Sequence, residues 1–261
     1  MKPLLIGLLG LGLTGCAVSP IPADIQERHA QAMRDAATLE PLMEPGDILF
    51  RLSSTPVAGN LVNFSRGVAK LSDSDFSHAV LVLRNDEAGV LLVDVTAHGI
   101  ERRYLSDWLM DSSTNLVVKR LRPEYRDLLP EVMRELDAAV AADNLYDDKF
   151  VAEDDVYYCT ELVDHIFRKV DHPLADRIRV DKLPRYNVVI AMCCIIAGIE
   201  SSNEVVVAGN DEIGLFSSPM LDTVVDLRPH VMAARAERSD RSVASSTSVK
   251  RLPCLLCAAS D

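Results

Sequence analysis

Residues 78–96, HAVLVLRNDEAGVLLVDVT, hold two runs rich in leucine and β-branched residues, separated by the polar segment Asn85 to Gly89. That pattern reads as a hairpin, so this part of the chain predicts antiparallel strands. Two polar residues interrupt the apolar runs. His78 opens the first strand, where an imidazole without a polar partner costs about 1–3 kcal/mol. Asp94 lies inside the second, and a strand carries a carboxylate poorly unless it is paired. With a three-residue loop at Asn85-Asp86-Glu87, residue 84 faces 88 and His78 faces Asp94 across the ladder. A two-residue loop at Asp86-Glu87 instead puts residue 95 opposite His78 and turns Asp94 to the other face. The two registers give opposite answers about whether these side chains meet.

Outward from the hairpin the chain alternates short strands with helices. PGDILFRL (45–52) predicts a strand after a Pro-Gly turn, NLVNFSRGVAKLS (60–72) a loop with one helical turn, and NLVVKRLR (115–122) another strand. HGIERRYLSDWL (98–109) reads as a turn leading into a short helix. Upstream, ADIQERHAQAMRDAATLE (23–40) is a helix with Asp24 as N-cap and Ile25, Ala32, Met33, Ala36 and Leu39 on one face, stopped by Pro41 and Pro45. Downstream, EYRDLLPEVMRELDAAVAAD (124–143) is a helix in which Pro130 marks a break or a new first turn. VVIAMCCIIAGI (188–199) is apolar all round, either a buried helix or a strand pair, and EVVVAG and DTVVDL read as further strands. Helices around a run of short strands predict an α+β fold with an antiparallel sheet.

One cysteine stands apart from the rest. In DDVYYCTELVDHIF (154–167), Cys159 precedes a helical stretch apolar at 162, 163, 166 and 167. Its sulfur then lies in the first turn, near unpaired N–H groups and the positive end of the helix dipole, which favours the thiolate. Free cysteine is also among the most buried residue types, so packing is the alternative. Cys159, His78 and Asp94 together form the usual set for a thiol nucleophile, its base and the group that orients the base. His98, four residues beyond Asp94, is an alternative third member, although the glycine after it suggests a turn. Tyr157 and Tyr158 are available to line a cleft, with packing the expected role of at least one.

The order of these blocks carries a resemblance. The chain runs Pro45-Gly46-Asp47-Ile48-Leu49-Phe50, then Ser77-His78-Ala79-Val80, then Val93-Asp94-Val95, and only afterwards Tyr158-Cys159-Thr160-Glu161-Leu162-Val163. The elements are similar to those of NlpC-like cell-wall peptidases, relatives of papain, but the cysteine block has moved from the front to the back. That order resembles the circularly permuted papain-like amidases, the YaeF/YiiX-like group, over roughly Glu44 to Asn187. The resemblance implies an antiparallel sheet packed against helices, the nucleophile at a helix N-terminus, and Cys159, His78 and Asp94 as nucleophile, base and orienting group. Asp94 stands where that family often has glutamate, and Thr160 where serine is common. The implied activity is a cysteine amidase or peptidase working through an acyl-enzyme, with peptidoglycan peptides as substrate. A lipid-directed acyltransferase or amidase, or a non-catalytic envelope binding protein, are the alternatives.

The ends of the chain speak to location. MKPLLIGLLGLGLTGCAVSP has one lysine, a short apolar run and then Leu13-Thr14-Gly15-Cys16, which resembles a bacterial lipobox. Cleavage after Gly15 and lipidation of Cys16 are expected, with Ala17 favouring the periplasmic face of the outer membrane. The expected organisation is a signal peptide (1–15), tether and helix (16–43), catalytic domain (44–200), C-terminal extension (201–233) and a disordered Ser- and Arg-rich tail (234–261). A net charge of −12 over 261 residues argues against nucleic acid as a partner. The expected partners are an amide- or ester-containing envelope substrate and the membrane itself. No cofactor and no metal are expected: Cys254-Leu255-Leu256-Cys257 is half a zinc site at most. Asp147, Asp148, Glu153, Asp154 and Asp155 lack calcium-loop spacing and read as a solvated loop above the cleft.

Overall fold

The computed structural model describes residues 23–53, 64–111, 113–142, 145–151 and 156–228. Its strands are β1 (Ile48–Ser53), β2 (His78–Asp86), β3 (Gly89–Thr96), β4 (Gly99–Tyr104), β5 (Ser113–Leu121), β6 (Ile178–Arg179), β7 (Glu204–Val205) and β8 (Leu221–Asp226). Six of them form one antiparallel sheet in the order β4-β3-β2-β1-β5-β8, and β6 pairs with β7. The helices are α1 (Ala23–Leu39), α2 (Phe64–Leu71), α3 (Leu105–Leu109), α4 (Leu129–Ala142), α5 (Cys159–Lys169) and α6 (Val188–Ala197).

Alternation along the strands builds two cores, one on each face. Leu49, Val80, Val82 and Leu92 point to the side covered by α1 and α3, where Ala36, Leu39 and Trp108 close it. Ile48, Phe50, Ala79, Leu81 and Val93 point to the other side, under α4 and α5. The Pro-Gly-Asp turn fixes where β1 begins. Gly46 has φ +86°, and a Cβ there would lie 2.2 Å from Leu129 Cδ1. Asp47 is fully buried and takes a two-pronged bond from Arg120 of β5, at 2.7 and 2.8 Å. That pair pins the turn to the strand beside it.

The β2–β3 register differs from both sequence-based alternatives. The turn is Glu87-Ala88, because Asp86 pairs with Gly89, Asn85 with Val90 and Arg84 with Leu91. Continued unchanged, that register would set Asp94 opposite Leu81, on the face away from His78. A bulge at Leu83 intervenes: Val82 pairs with Leu92 and Leu81 with Val93. Asp94 therefore lies across from Val80, on the His78 face but two residues along the strand. The two side chains are diagonal neighbours instead of directly opposed, still within reach of one another.

Other sequence expectations need correction. NLVNFSRGVAKLS contains the eight-residue helix α2, not one turn, and residues 99–104 are a strand, not a turn into α3. The helix α1 begins at Ala23, so Asp24 falls within it instead of capping it, and Met33 is exposed while Ala32, Ala36 and Leu39 are buried. The apolar run 188–199 contains the helix α6, but it lies on the surface instead of being buried. Residues 201–228, set apart above as an extension, supply β7 and β8, and Leu215 and Phe216 fill the core under α5. The expected signal peptide, Cys16, the tail with Cys254 and Cys257, and Glu153, Asp154 and Asp155 lie outside the described residues.

Candidate active site

The helix α5 starts at Cys159, with Tyr158 in extended conformation before it. Its first backbone bond runs from the Leu162 N–H to the Tyr158 carbonyl at 3.0 Å. The N–H groups of residues 159–161 therefore precede the ladder and gather partial positive charge around the half-buried thiol. Because α5 packs across β2 and β3, its first residue arrives beside the start of β2. The Cys159 sulfur lies 4.0 Å from the Ser77 carbonyl oxygen, close enough to the His78 imidazole and the Ala79 N–H for both to favour its thiolate. Thr160 Oγ1 donates to the Val206 carbonyl at 2.6 Å, and the Val206 N–H donates to the Tyr158 hydroxyl at 2.8 Å. The segment leading to β8 thus grips the two residues that flank Cys159. Any side chain with a hydroxyl at 160 meets that demand, which accounts for threonine there.

His78 connects the thiol to the sheet. Its Nε2 is 2.8 Å from Asp94 Oδ1, which leaves Nδ1 for the sulfur. The ring is stacked beside Trp108, with centroids 6.3 Å apart. Asp94 is 1% exposed, and its second oxygen is 3.4 Å from Arg103 Nη1. Arg103 Nη1 also binds Asp111 Oδ2 at 2.9 Å, and Arg51 Nη2 reaches the same oxygen at 3.1 Å. Arg51 sits directly opposite His78 in the β1–β2 ladder, bonded through Nη1 to the Trp108 carbonyl at 2.6 Å and stacked 3.8 Å over its ring. Each guanidinium is thus held in place by groups other than Asp94.

The electrostatics follow from this packing. For Asp94, burial works against the charge, but His78 and then Arg51 and Arg103 outweigh it and hold the carboxyl down to about 2. For His78, burial again opposes the charge, and Cys159 and Asp94 reverse it, pushing the imidazole up to about 10. Burial also disfavours the Cys159 thiolate, yet the His78 charge and bond and the Ala79 N–H bring the thiol below its ordinary value. Both shifts run toward a thiolate–imidazolium pair.

Other singled-out residues fall elsewhere. His98 is exposed in the β3–β4 turn, where its N–H binds Thr96 Oγ1 at 3.1 Å, while Asp94 takes the His78 nitrogen. Tyr157 and Tyr158 are both buried and do not line an open cleft; the Tyr157 hydroxyl is 3.2 Å from His165 Nε2. Asp147 is not solvated: buried, its carboxylate accepts the N–H groups of Lys149, Phe150 and Val151 at 2.7–2.8 Å. That turn brings in a residue the sequence reading passed over. Tyr146 bridges to Tyr157 and, like Cys159, packs against the core under α5, and burial followed by the charge at Cys159 keeps its phenol protonated. Arg51 and Arg103 were also passed over, although an arginine inside the apolar run ILFRLS was a visible signal.

Comparison with known proteins bears on what such a site belongs to. Residues 42–187, more than half of the chain, match the family model described as permuted papain-like amidase enzyme, YaeF/YiiX, C92 family. The chain belongs to this family. Among solved structures, the metalloprotein yiiX from Escherichia coli O157:H7 is similar, with TM-score 0.57 and 19% identity over 71% of this chain and 98% of that one. That likeness confirms the permuted papain-like fold. No curated protein matches the chain. The metal that yiiX is described as holding does not fit the described residues here. No three His, Cys, Asp or Glu side chains among them converge on a point, and Asp94 is committed to His78 and Arg103. Belonging to the C92 amidases gives this chain a hydrolase fold and an amidase family.

Proposed function

We propose that this C92-family chain is a cysteine amidase or peptidase of the cell envelope, with Cys159 as nucleophile, His78 as base and acid, and Asp94 as the group that orients it. The observation that supports this most is the 2.8 Å contact of His78 with the buried Asp94, beside the first residue of α5, whose thiol His78 lowers. The thiolate attacks the amide carbonyl carbon, and the Cys159 N–H at the open helix end faces the oxygen as it becomes negative. The C–N bond breaks as His78 gives its proton to the departing amine, leaving a thioester on Cys159. Water, losing a proton to His78, attacks that thioester, releases the carboxylic acid and restores the thiol. Asp94 remains a carboxylate throughout, because its low proton affinity keeps the proton on the imidazole.

Peptidoglycan stem peptides are the proposed substrate, and the Leu-Thr-Gly-Cys sequence at 13–16 supports lipidation at Cys16 and a place at the membrane. Intact chain incubated with purified stem peptides should release a new amine and a new carboxyl group. An acid quench should trap an acyl adduct on the peptide that contains Cys159, and Cys159→Ala should show neither. Cleavage of N-acyl lipids with stem peptides untouched would transfer the proposal to a lipid substrate. Hydrolysis retained by Cys159→Ala would overturn thiol catalysis.

A further inference from the structure

The helix α6 has an unusual surface. Val188, Val189, Met192, Ile195 and Ile196 are 60–83% exposed and fall on one stripe at helical spacing. No charged residue occurs between Val188 and Ile199. The opposite side is apolar as well: Cys194 lies in a buried cluster with Tyr158, Val180 and Leu183, and Ile190 and Ile199 pack against that cluster. Both ends of the helix are closed. The Asn187 side chain accepts the N–H groups of Val189 and Ile190 at 2.9 and 3.2 Å. At the other end Gly198, at φ +71°, lets the Ile199 N–H reach the Cys194 carbonyl at 2.9 Å. A short helix with satisfied ends and a charge-free outer stripe can enter an apolar medium without exposing backbone groups to it.

We propose that the outer stripe of α6 docks into the bilayer surface to which the chain's own N-terminus leads. This rests on the proposed lipid anchor at Cys16 and not on the catalytic reading. Three observations choose the bilayer over other occupants. The apolar run ending at Cys16 lies only six residues, Ala17 to Pro22, before α1. Those six residues reach at most about 20 Å, so an anchored chain holds its folded part close to the lipid. The stripe is also small for a protein partner. A ten-residue helix is about 15 Å long and 10 Å wide, far short of the roughly 800 Å² per side of a stable dimer. A weak apolar contact is sufficient once an anchor supplies a high local concentration. Finally, the stripe carries no charge and the chain's net charge of −12 opposes attraction to anionic lipid, so the contact is apolar and salt does not weaken it. Docking by α6 would place Tyr146 and Cys159 near the bilayer surface.

The test uses the intact chain in the membranes of the cells that express it, with the photo-crosslinking residue p-benzoylphenylalanine at position 192, at 196 or, as control, at exposed Asp137 on α4. These outward positions leave the core unaltered. Irradiation should add a phospholipid-sized mass to the peptide carrying residue 192 or 196 and none at 137, and the yield should persist in high salt. Adducts from 192 and 196 only to residues 229–261 of the same chain, only to a second copy, or to nothing would each overturn the proposal. Equal lipid labelling at 137 would do so too.

Discussion

Asp94 sits between an imidazole and two guanidiniums, and this decides what a substitution there would do. Its Oδ1 takes the His78 Nε2–H and its Oδ2 faces Arg103 Nη1, so both oxygens must accept. An asparagine has one acceptor and one donor, so Asp94→Asn turns an N–H toward either the imidazole or the guanidinium. The expected cost in kcat/KM is about 10²–10⁴-fold, the usual worth of a positioned acid–base group, with substrate KM little changed. Stability should depend on pH with a definite sign. The Asp94 carboxyl titrates below its ordinary 3.8, so its contribution is complete above that value and is lost as pH falls through about 2. The His78 imidazole titrates above its ordinary 6.5, so its contribution is complete below that value and is lost as pH rises through about 10. The difference in Tm between the native chain and Asp94→Asn should therefore be widest between 3.8 and 6.5 and narrow on either side. Thermal unfolding across that range checks it, and a difference independent of pH would contradict the pairing. At this scale the sequence was informative: His78 and Asp94 were out of place in apolar strands, and Cys159 stood at the start of a helix. Arg51 was equally out of place in ILFRLS but went unread, because a strand arginine is commonly assigned to a solvated edge.

Elements decide whether those residues meet. The hairpin was legible from its two apolar runs, but its register was not. A one-residue bulge within HAVLVLR leaves no mark in composition, since Leu83 looks like its neighbours. The turn at Glu87-Ala88 and the bulge each change which face Asp94 takes, and together they return it to the His78 side. The Pro-Gly-Asp turn, by contrast, was legible in kind and in place. Gly46→Ala should destabilise the fold by about 1–3 kcal/mol, from a strained φ and from contact with Leu129. Its effect on the unfolding midpoint in urea should appear with an unchanged slope, and a neutral result would contradict the close approach of α4 to this turn. The run 188–199 was read as a buried helix or a strand pair because it is apolar on all sides. Sequence periodicity describes which faces are apolar, not whether each face has a neighbour, and among the described residues only the inner face of α6 has one.

For the molecule as a whole, the site depends on segments far apart in the chain. β1 carries Arg51, β2 and β3 carry His78 and Asp94, β4 carries Arg103, α5 carries Cys159, and Val206 binds the residues on both sides of it. The block order showed the permuted family because each block keeps its own local signature. Residues 201–228 have no such signature, so their place in the sheet emerged only from the pairing of β8 with β5. A chain ending at Glu200 loses β8, the Val206 clamp and the Phe216 ring that packs at 5.3 Å against Phe50. Such a chain is expected to aggregate on expression, and a soluble, cooperatively unfolding product would contradict a single folded unit. The central claim is that this assembly lowers the Cys159 thiol through His78. The most direct measurement is the pH dependence of Cys159 alkylation by iodoacetamide, followed by mass analysis of its peptide, in the native chain and in His78→Ala. The account predicts rapid alkylation that persists well below the ordinary cysteine range of about 8.5 and an inflection that moves up when His78 is removed. An inflection at the ordinary value, or one that His78→Ala leaves in place, would contradict it.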